Sequence, residues 1–337
     1  CLLCAPFFGA QAQNATPSRV ASTNASPTLS EVVVTGNPLG RDTTAAPVVS
    51  LGGTELLLRS GSTLGETLSQ TPGVANSYFG PNAGRPIIRG LDGDRIRMLN
   101  NGGASHDLSG LSPDHAVAQD SLSVERIEVL RGPGTGPYGA NAVQGLVNVI
   151  SPDPDALPRL RLGVTRGADD HLALQFAASD DSTALYGLWR DEDGFRAESP
   201  VREWKANAVH QRTLGGGELR LRAAATRLDQ ETAGFIRGFD AYRDPVLRES
   251  NPNPEAFRDA DSARVSGEWL SEPCDGCRDE VRGIVRHSRM AFLQHFLLGK
   301  PLERNGQDSI AFGAARARPP GAPARRGIQS LHPGGRW

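Results

Sequence analysis

The 337-residue sequence predicts a small α+β domain followed by an antiparallel β-sheet, because its texture changes once, near Pro158. Before that point, short helix and strand signals alternate between Gly/Pro turns. After it, apolar residues recur at every second position, the period of strands with one wet face. No run approaches the ~18 consecutive apolar residues of a membrane-crossing helix. A transmembrane β-barrel stays compatible with the pattern, since its strands alternate lipid-facing and lumen-facing residues.

Composition narrows the function class. The 36 Lys+Arg residues against 38 Asp+Glu give a formal charge of −2, which argues against a nucleic-acid binder relying on bulk charge. With 39 Gly, 24 Pro and only 6% aromatics the chain is turn-rich, unlike a conventional soluble enzyme. Every basic residue except Lys205 and Lys300 is arginine, which removes most lysine-based chemistry.

In chain order, the apolar opening and the Ala10-Gln11-Ala12 pattern are expected to be the remnant of an export signal over 1–12. Residues 13–40 form a polar arm, too poor in apolar groups to pack, around the compact strand Glu31-Val32-Val33-Val34-Thr35. Such a strand suits addition to another protein's sheet edge, although an ordinary first strand fits equally. The α+β domain spans 41–153. In it, Ser62–Leu68 reads as a capped helix with Leu64 and Leu68 on one face, stopped by Pro72-Gly73. Strands are expected at 86–90, 95–102, 124–130 and 145–150; the third sets Val124, Ile127 and Val129 against Glu125 and Glu128 and reads as half-exposed.

From 154 to 313 the alternation repeats. Leu160, Leu162 and Val164 oppose Arg159, Arg161 and Thr165; Leu172, Leu174 and Phe176 oppose His171 and Gln175; Leu219, Leu221 and Ala223 oppose Glu218, Arg220 and Arg222. Strands of about ten residues, polar inside and apolar outside, describe an outer-membrane barrel. A sandwich with one wet face fits the same periodicity. About seven such strands fall before residue 290.

The stretch from Glu31 to Ile150 resembles the plug domain of TonB-dependent outer-membrane receptors. The residues that carry the likeness are Leu64-Gly65-Glu66-Thr67-Leu68 with Pro72-Gly73-Val74, then Ile88-Arg89-Gly90. Val124 through Pro133 follow, then Tyr138-Gly139 and Gly145 through Ile150. The family usually has a Gly-Gly pair where this chain has Gln144-Gly145. The resemblance implies an α+β plug domain followed by an incomplete antiparallel transmembrane β-barrel, a fragment of a 22-stranded barrel. It implies that Glu31, Val32, Val33, Val34 and Thr35 form the TonB box, the contact of the TonB energy-coupling protein. It implies a gated uptake channel set in outer-membrane lipid, without covalent chemistry, cofactor or nucleic acid. No Gly-Lys-[Ser/Thr] loop, Gly-x-Ser-x-Gly or His-Glu-x-x-His occurs to support an enzyme.

Two ligand readings stay open. The pairs His106-Asp107 and Asp114-His115 offer imidazole and carboxylate ligands that suit zinc, and their segment resembles the corresponding plug loop of zinc-uptake receptors. Hydrogen bonding within a polar loop is the alternative. The rival ligand is a ferric chelate, for which 234–248 offers Phe235, Arg237, Phe239, Tyr242 and Arg243, residues that fit equally well as packing within the loop. A secreted plug-like module acting alone is a third expectation. Cys274 and Cys277 are expected to form a local disulfide in an oxidising envelope.

The 184 residues after 153 are too few for about 220 in barrel strands. The chain is therefore expected to be truncated and unable to transport by itself. Residues 314–337 hold five Arg, four Pro, four Gly and no acid, and read as an aberrant tail from a frameshift near 313. A basic tail on anionic headgroups is the functional alternative.

Overall fold

A computed structural model describes residues 48–78, 82–105, 124–133, 141–274, 277–294 and 303–317. Its first part is the α+β domain. Strand β1 (Val48–Gly52) runs into helices α1 (Gly53–Arg59) and α2 (Leu64–Leu68), followed by the hairpin β2 (Val74–Tyr78) and β3 (Gly84–Ile88). Next come β4 (Ile96–Asn100), β5 (Gly103–Ala104), β6 (Arg126–Arg131) and β7 (Gly145–Ile150). Five of these strands form one sheet in the order β1-β6-β7-β4-β5, with β4 and β7 parallel; β2 and β3 pair separately.

The predicted helix is α2. Its N-cap is Thr63, whose Oγ1 accepts from the Glu66 amide at 3.1 Å, while the Glu66 carboxylate reaches back to the Ser62 amide at 2.9 Å. Leu64 and Leu68 point together into a core with Leu51, Leu56, Ile88, Ile127, Val129, Val147 and Val149. Each such side chain contributes roughly 1.5–3 kcal/mol on burial. Gly65 is required by proximity: a Cβ there would lie 2.1 Å from Asn76 Oδ1 and 2.6 Å from the Arg85 backbone. The helix therefore rests directly on the β2–β3 hairpin.

One expectation for this domain is overturned. Glu128 is 1% exposed, because both faces of β6 are covered rather than one. Its carboxylate accepts from Asn148 Nδ2 at 2.9 Å and from Arg126 Nε at 3.1 Å. A fully buried carboxylate is tolerated only when so satisfied.

The second part is an eight-stranded antiparallel meander, each strand paired with the next. It comprises β8 (Leu160–Arg166), β9 (Leu172–Ser179), β10 (Thr183–Glu192) and β11 (Val201–Leu214). It continues with β12 (Gly217–Glu231), β13 (Phe257–Cys274), β14 (Cys277–Gln294) and β15 (Glu303–Ala317). The seven strands expected before residue 290 are β8 to β14, and β15 follows them beyond that point. Its pairing with β14 continues past residue 313 to Ala317, opposite Glu280. Small residues such as Gly306, Gly313, Ala314 and Ala315 hide the alternation there without preventing the ladder. Strands β11 to β15 are 14–18 residues long, longer than the ten expected.

At one end of the meander the connections are short. The Asp180 carboxylate accepts from the Ser182 and Thr183 amides, both at 2.7 Å, to close the β9–β10 turn. Gly215 and Gly216, with φ of 59° and 77°, make the β11–β12 turn that only glycine adopts freely. The long connections, 193–200 and 232–256, lie at the other end and include helix α3 (Pro245–Glu249), capped by Asp244.

Candidate plug–wall interface and ligand-facing loops

The register of the meander assigns every wall residue a face. Leu160, Ala178, Leu185, Ala208, Ala223, Val265, Val285 and Phe312 are successive cross-strand partners, one apolar row across all eight strands. Of these, Leu160, Val265 and Val285 are 57–69% exposed. Along the same face the strands become charged toward the long-loop end, where Arg227, Asp261, Arg289 and Asp308 are partners in turn. Trp189 and Trp204, partners of each other, lie on this row beside Arg227.

The opposite face carries charge and turns toward the plug-like domain. Asp153, in the linker after β7, meets Arg222 at 3.0 Å and Arg220 at 3.3 Å from β12. Glu268 of β13 meets Arg222 at 3.6 Å and Arg282 of β14 at 2.6 Å. Arg282 also pairs with Glu280 and donates to the carbonyl of Asn101, at the β4–β5 turn. Arg286 donates to the carbonyl of Ser105 at 3.3 Å. Gly102 sits with φ of 78° under the Arg282 guanidinium, where a Cβ would lie 2.6 Å from it. Near the long-loop end, Arg190 pairs with Glu203 at 3.3 Å and donates to Asn82 Oδ1 at 2.9 Å.

The loops at the long-loop end are organised by Arg196. Its guanidinium donates to the Ser250 carbonyl at 2.5 and 2.9 Å and to the Gly234 carbonyl at 2.6 Å, joining 193–200 to 232–256. A cavity of about 400 Å³ opens beside that joint, lined by Phe235, Ile236, Arg237, Leu247, Ser250, Pro252 and Asn253. Phe239 is 98% exposed, and the Arg243 guanidinium lies 5.6 Å from the Tyr242 ring centroid. The cavity lining mixes apolar side chains with polar groups and one guanidinium, a combination that can receive an anion carrying hydrophobic groups.

Several predicted positions lie outside the described residues: Glu31 to Thr35, and His106, Asp107, Asp114 and His115. The side chains of Cys274 and Cys277 do too, although their backbones are register partners. Sequence reasoning named Phe235 and Arg237, and the fold places both on one cavity. It missed Arg196, Asp153, Glu268, Arg282 and Arg286. The strand parity that put Arg220 and Arg222 on the polar face was the signal available for Glu268, Arg282 and Arg286.

Comparison with known proteins agrees with this geometry. Residues 41–146 match the family model described as TonB-dependent Receptor Plug Domain. Over 181 residues the chain is 26% identical to the vitamin B12 transporter BtuB of Vibrio vulnificus strain CMCP6, covering 50% of this chain and 29% of the transporter. The unliganded ferric citrate transporter FecA superposes with a TM-score of 0.63 at 16% identity, over 81% of this chain and 44% of FecA. The siderophore receptor PiuA of Acinetobacter baumannii gives 0.60 at 16% identity, over 77% of this chain and 40% of PiuA. The chain thus spans under a third of that transporter and under half of these receptors. Residues 41–146 are therefore similar to the plug domain of the TonB-dependent receptors, and the chain shares the fold of FecA and PiuA over about four-fifths of its length.

Proposed function

We propose that this chain forms the plug and eight wall strands of an outer-membrane receptor for TonB-energised uptake of a scarce metal or metal chelate. The observation that carries the reading is the unbroken apolar row from Leu160 to Phe312 on one face of the wall, with arginines gripping a plug on the other. Such a wall suits lipid outside and polar contacts inside. The protein acts as a carrier and makes no covalent change to its cargo.

Two ligand readings follow from the residues. Zinc would be held by Asp114 and His115, with His106 and Asp107 as weaker ligands. The cavity from Phe235 to Asn253 favours a second reading, an anionic metal chelate seated against Arg237. Calorimetric titration of zinc chloride and of ferric citrate into the chain, His115→Ala and Arg237→Ala separates them. Zinc binding weakened at least tenfold in His115→Ala supports the first, and chelate binding weakened in Arg237→Ala supports the second. Unchanged affinity in both variants rejects both.

The energy-coupling contact is assigned to Glu31–Thr35. A peptide covering 29–40 should bind the TonB periplasmic domain through added strand pairing, and Val33→Pro, which removes a backbone donor, should abolish it. Cys274 and Cys277 are assigned to a disulfide, since register partners lie about 5 Å apart at Cα, within bridging range. Alkylation without reduction should leave both unmodified.

A further inference from the structure

We infer that Arg97, on β4 where plug and wall meet, is an oxyanion-binding residue, and that it takes a carboxylate of an anionic metal chelate. The inference deepens the chelate reading above and rests on it for the identity of the cargo.

The strand turns this side chain away from the core that holds α2. Ile96 and Met98 pack in that core, so Arg97 shares the other face of β4 with Leu99, which clusters with Leu130 and Leu146. Arg97 is half-buried, and its Nε is fully buried with no hydrogen-bond acceptor. Arg131, Arg190, Arg222 and Arg282 also bury an unbonded Nε, but each uses a terminal nitrogen on a carbonyl or carboxylate. Elsewhere in the plug, Arg59, Arg85 and Arg126 pair with acids, and Arg89 and Arg95 are exposed to water. Among the described residues Arg97 is thus the shielded plug arginine without an acceptor. Burial alone holds its guanidinium below the ordinary value. A desolvated cation without a counter-charge is costly, and a bound anion would offset that cost.

The wall beside Arg97 is positive at the same level. The Ser105 amide donates to the Met98 carbonyl at 3.1 Å, and the Ser105 carbonyl accepts from Arg286 at 3.3 Å, so one residue ties this part of β4 to β14. Arg286 and Arg264 are direct cross-strand partners. On the inward face of β12 to β14, Glu218, Glu268 and Glu280 all lie toward the short turns. From Arg264 and Arg286 to the long-loop end, the register brings Arg258 to that face and no carboxylate. Basic groups gathered between low-dielectric walls raise the local concentration of anions. A bare zinc ion would be repelled there, whereas a chelate presenting carboxylates would not. The planar fork of a guanidinium also matches a carboxylate bidentately.

The test titrates sodium citrate, ferric citrate, sodium phosphate and zinc chloride into the full 337-residue chain in detergent micelles at constant ionic strength. Calorimetry reads affinity, and thermal unfolding reads stability with and without anion. Arg97→Met keeps a buried stem and removes the charge. It is expected to weaken citrate and ferric citrate binding at least tenfold, as loss of a hydrogen bond to a charged group does. Without anion it is expected to be at least as stable as wild type. Arg97→Lys should recover part of the affinity, since it restores the charge without the fork. The same substitutions in an Arg237→Ala background separate this residue from the loop cavity, and a further tenfold loss on Arg97→Met there supports the inference. Citrate binding lost in Arg237→Ala but unchanged in Arg97→Met overturns the inference and leaves the loop-cavity reading standing. Zinc binding with no anion binding to wild type rejects both. An Arg97→Met chain less stable than wild type in anion-free buffer overturns the inference, because it marks a packing role. Phosphate bound more tightly than either citrate species, and lost in Arg97→Met, overturns the assignment to a chelate.

Discussion

Glu128 sits on the strand β6, where the sequence sets charged residues among Val and Ile, and it is buried in the plug sheet. Replacing it by Ala would leave the Asn148 amide group without its carboxylate acceptor in a buried site, while Arg126 keeps Glu125, and should destabilise the plug by about 1–3 kcal/mol. Glu128→Gln, which keeps an acceptor for Asn148, should lose less. Denaturant unfolding followed by far-ultraviolet dichroism measures the difference. Alternation alone could not reveal this burial, because the same pattern describes a one-sided strand until a second layer covers the polar face. Phe235 and Arg237 were candidates from the sequence, either for an anionic chelate or for packing the loop, and both line one cavity. The cavity they share depends on Arg196, whose role comes from carbonyls at residues 234 and 250, 38 and 54 positions away.

At the scale of single elements, local chemistry was more legible. Helix α2 announced itself by Thr63, Glu66 and the Leu64/Leu68 pair, because a cap and a stripe lie within one turn of each other. Thr63→Ala should cost about 1 kcal/mol through loss of the cap. Gly65→Ala should cost more despite the better helix propensity of alanine, since its methyl would meet Asn76 and the Arg85 backbone. The β9–β10 turn carries a pH signature. The Ser182 and Thr183 amides, then the Ser182 hydroxyl, hold the Asp180 carboxyl below its usual range. Its folded value is depressed, so its contribution is present above the unfolded pKa of about 4 and is lost as pH falls through the folded value. Wild type minus Asp180→Asn stability should therefore be largest above about pH 4 and shrink in acid. A difference flat between neutral pH and pH 2 would remove the turn's role. Strand β15 was illegible for the opposite reason: Gly and Ala make up six of its fifteen residues, five of them in its second half, and pairing with β14 rather than side-chain pattern makes it a strand.

Across the whole molecule, the two-faced wall was written in the sequence, but the meeting of wall and plug was not. Parity gives the side of Arg220, Arg282 and Arg286; it gives neither the height of Asp153 nor the carbonyls of Asn101 and Ser105 that they reach. Those contacts span up to 181 positions and exist only once strand register is set. Register also turns the outward face into a measurable prediction. Val285 lies in the apolar row between Val265 and Phe312, and is 57% exposed. If that row meets hydrocarbon, Val285→Arg should cost about 2–4 kcal/mol when the chain folds into bilayers, the penalty for a cation near the midplane. Val285→Leu should cost almost nothing. In water-soluble conditions without lipid or detergent the arginine should instead improve solubility, because it breaks an exposed apolar row. Opposite signs in the two media are the expected result, measured by urea titration in vesicles and by aggregation onset in buffer. An arginine tolerated equally in both would mean that this face meets water, and the membrane assignment of the wall would fall with it.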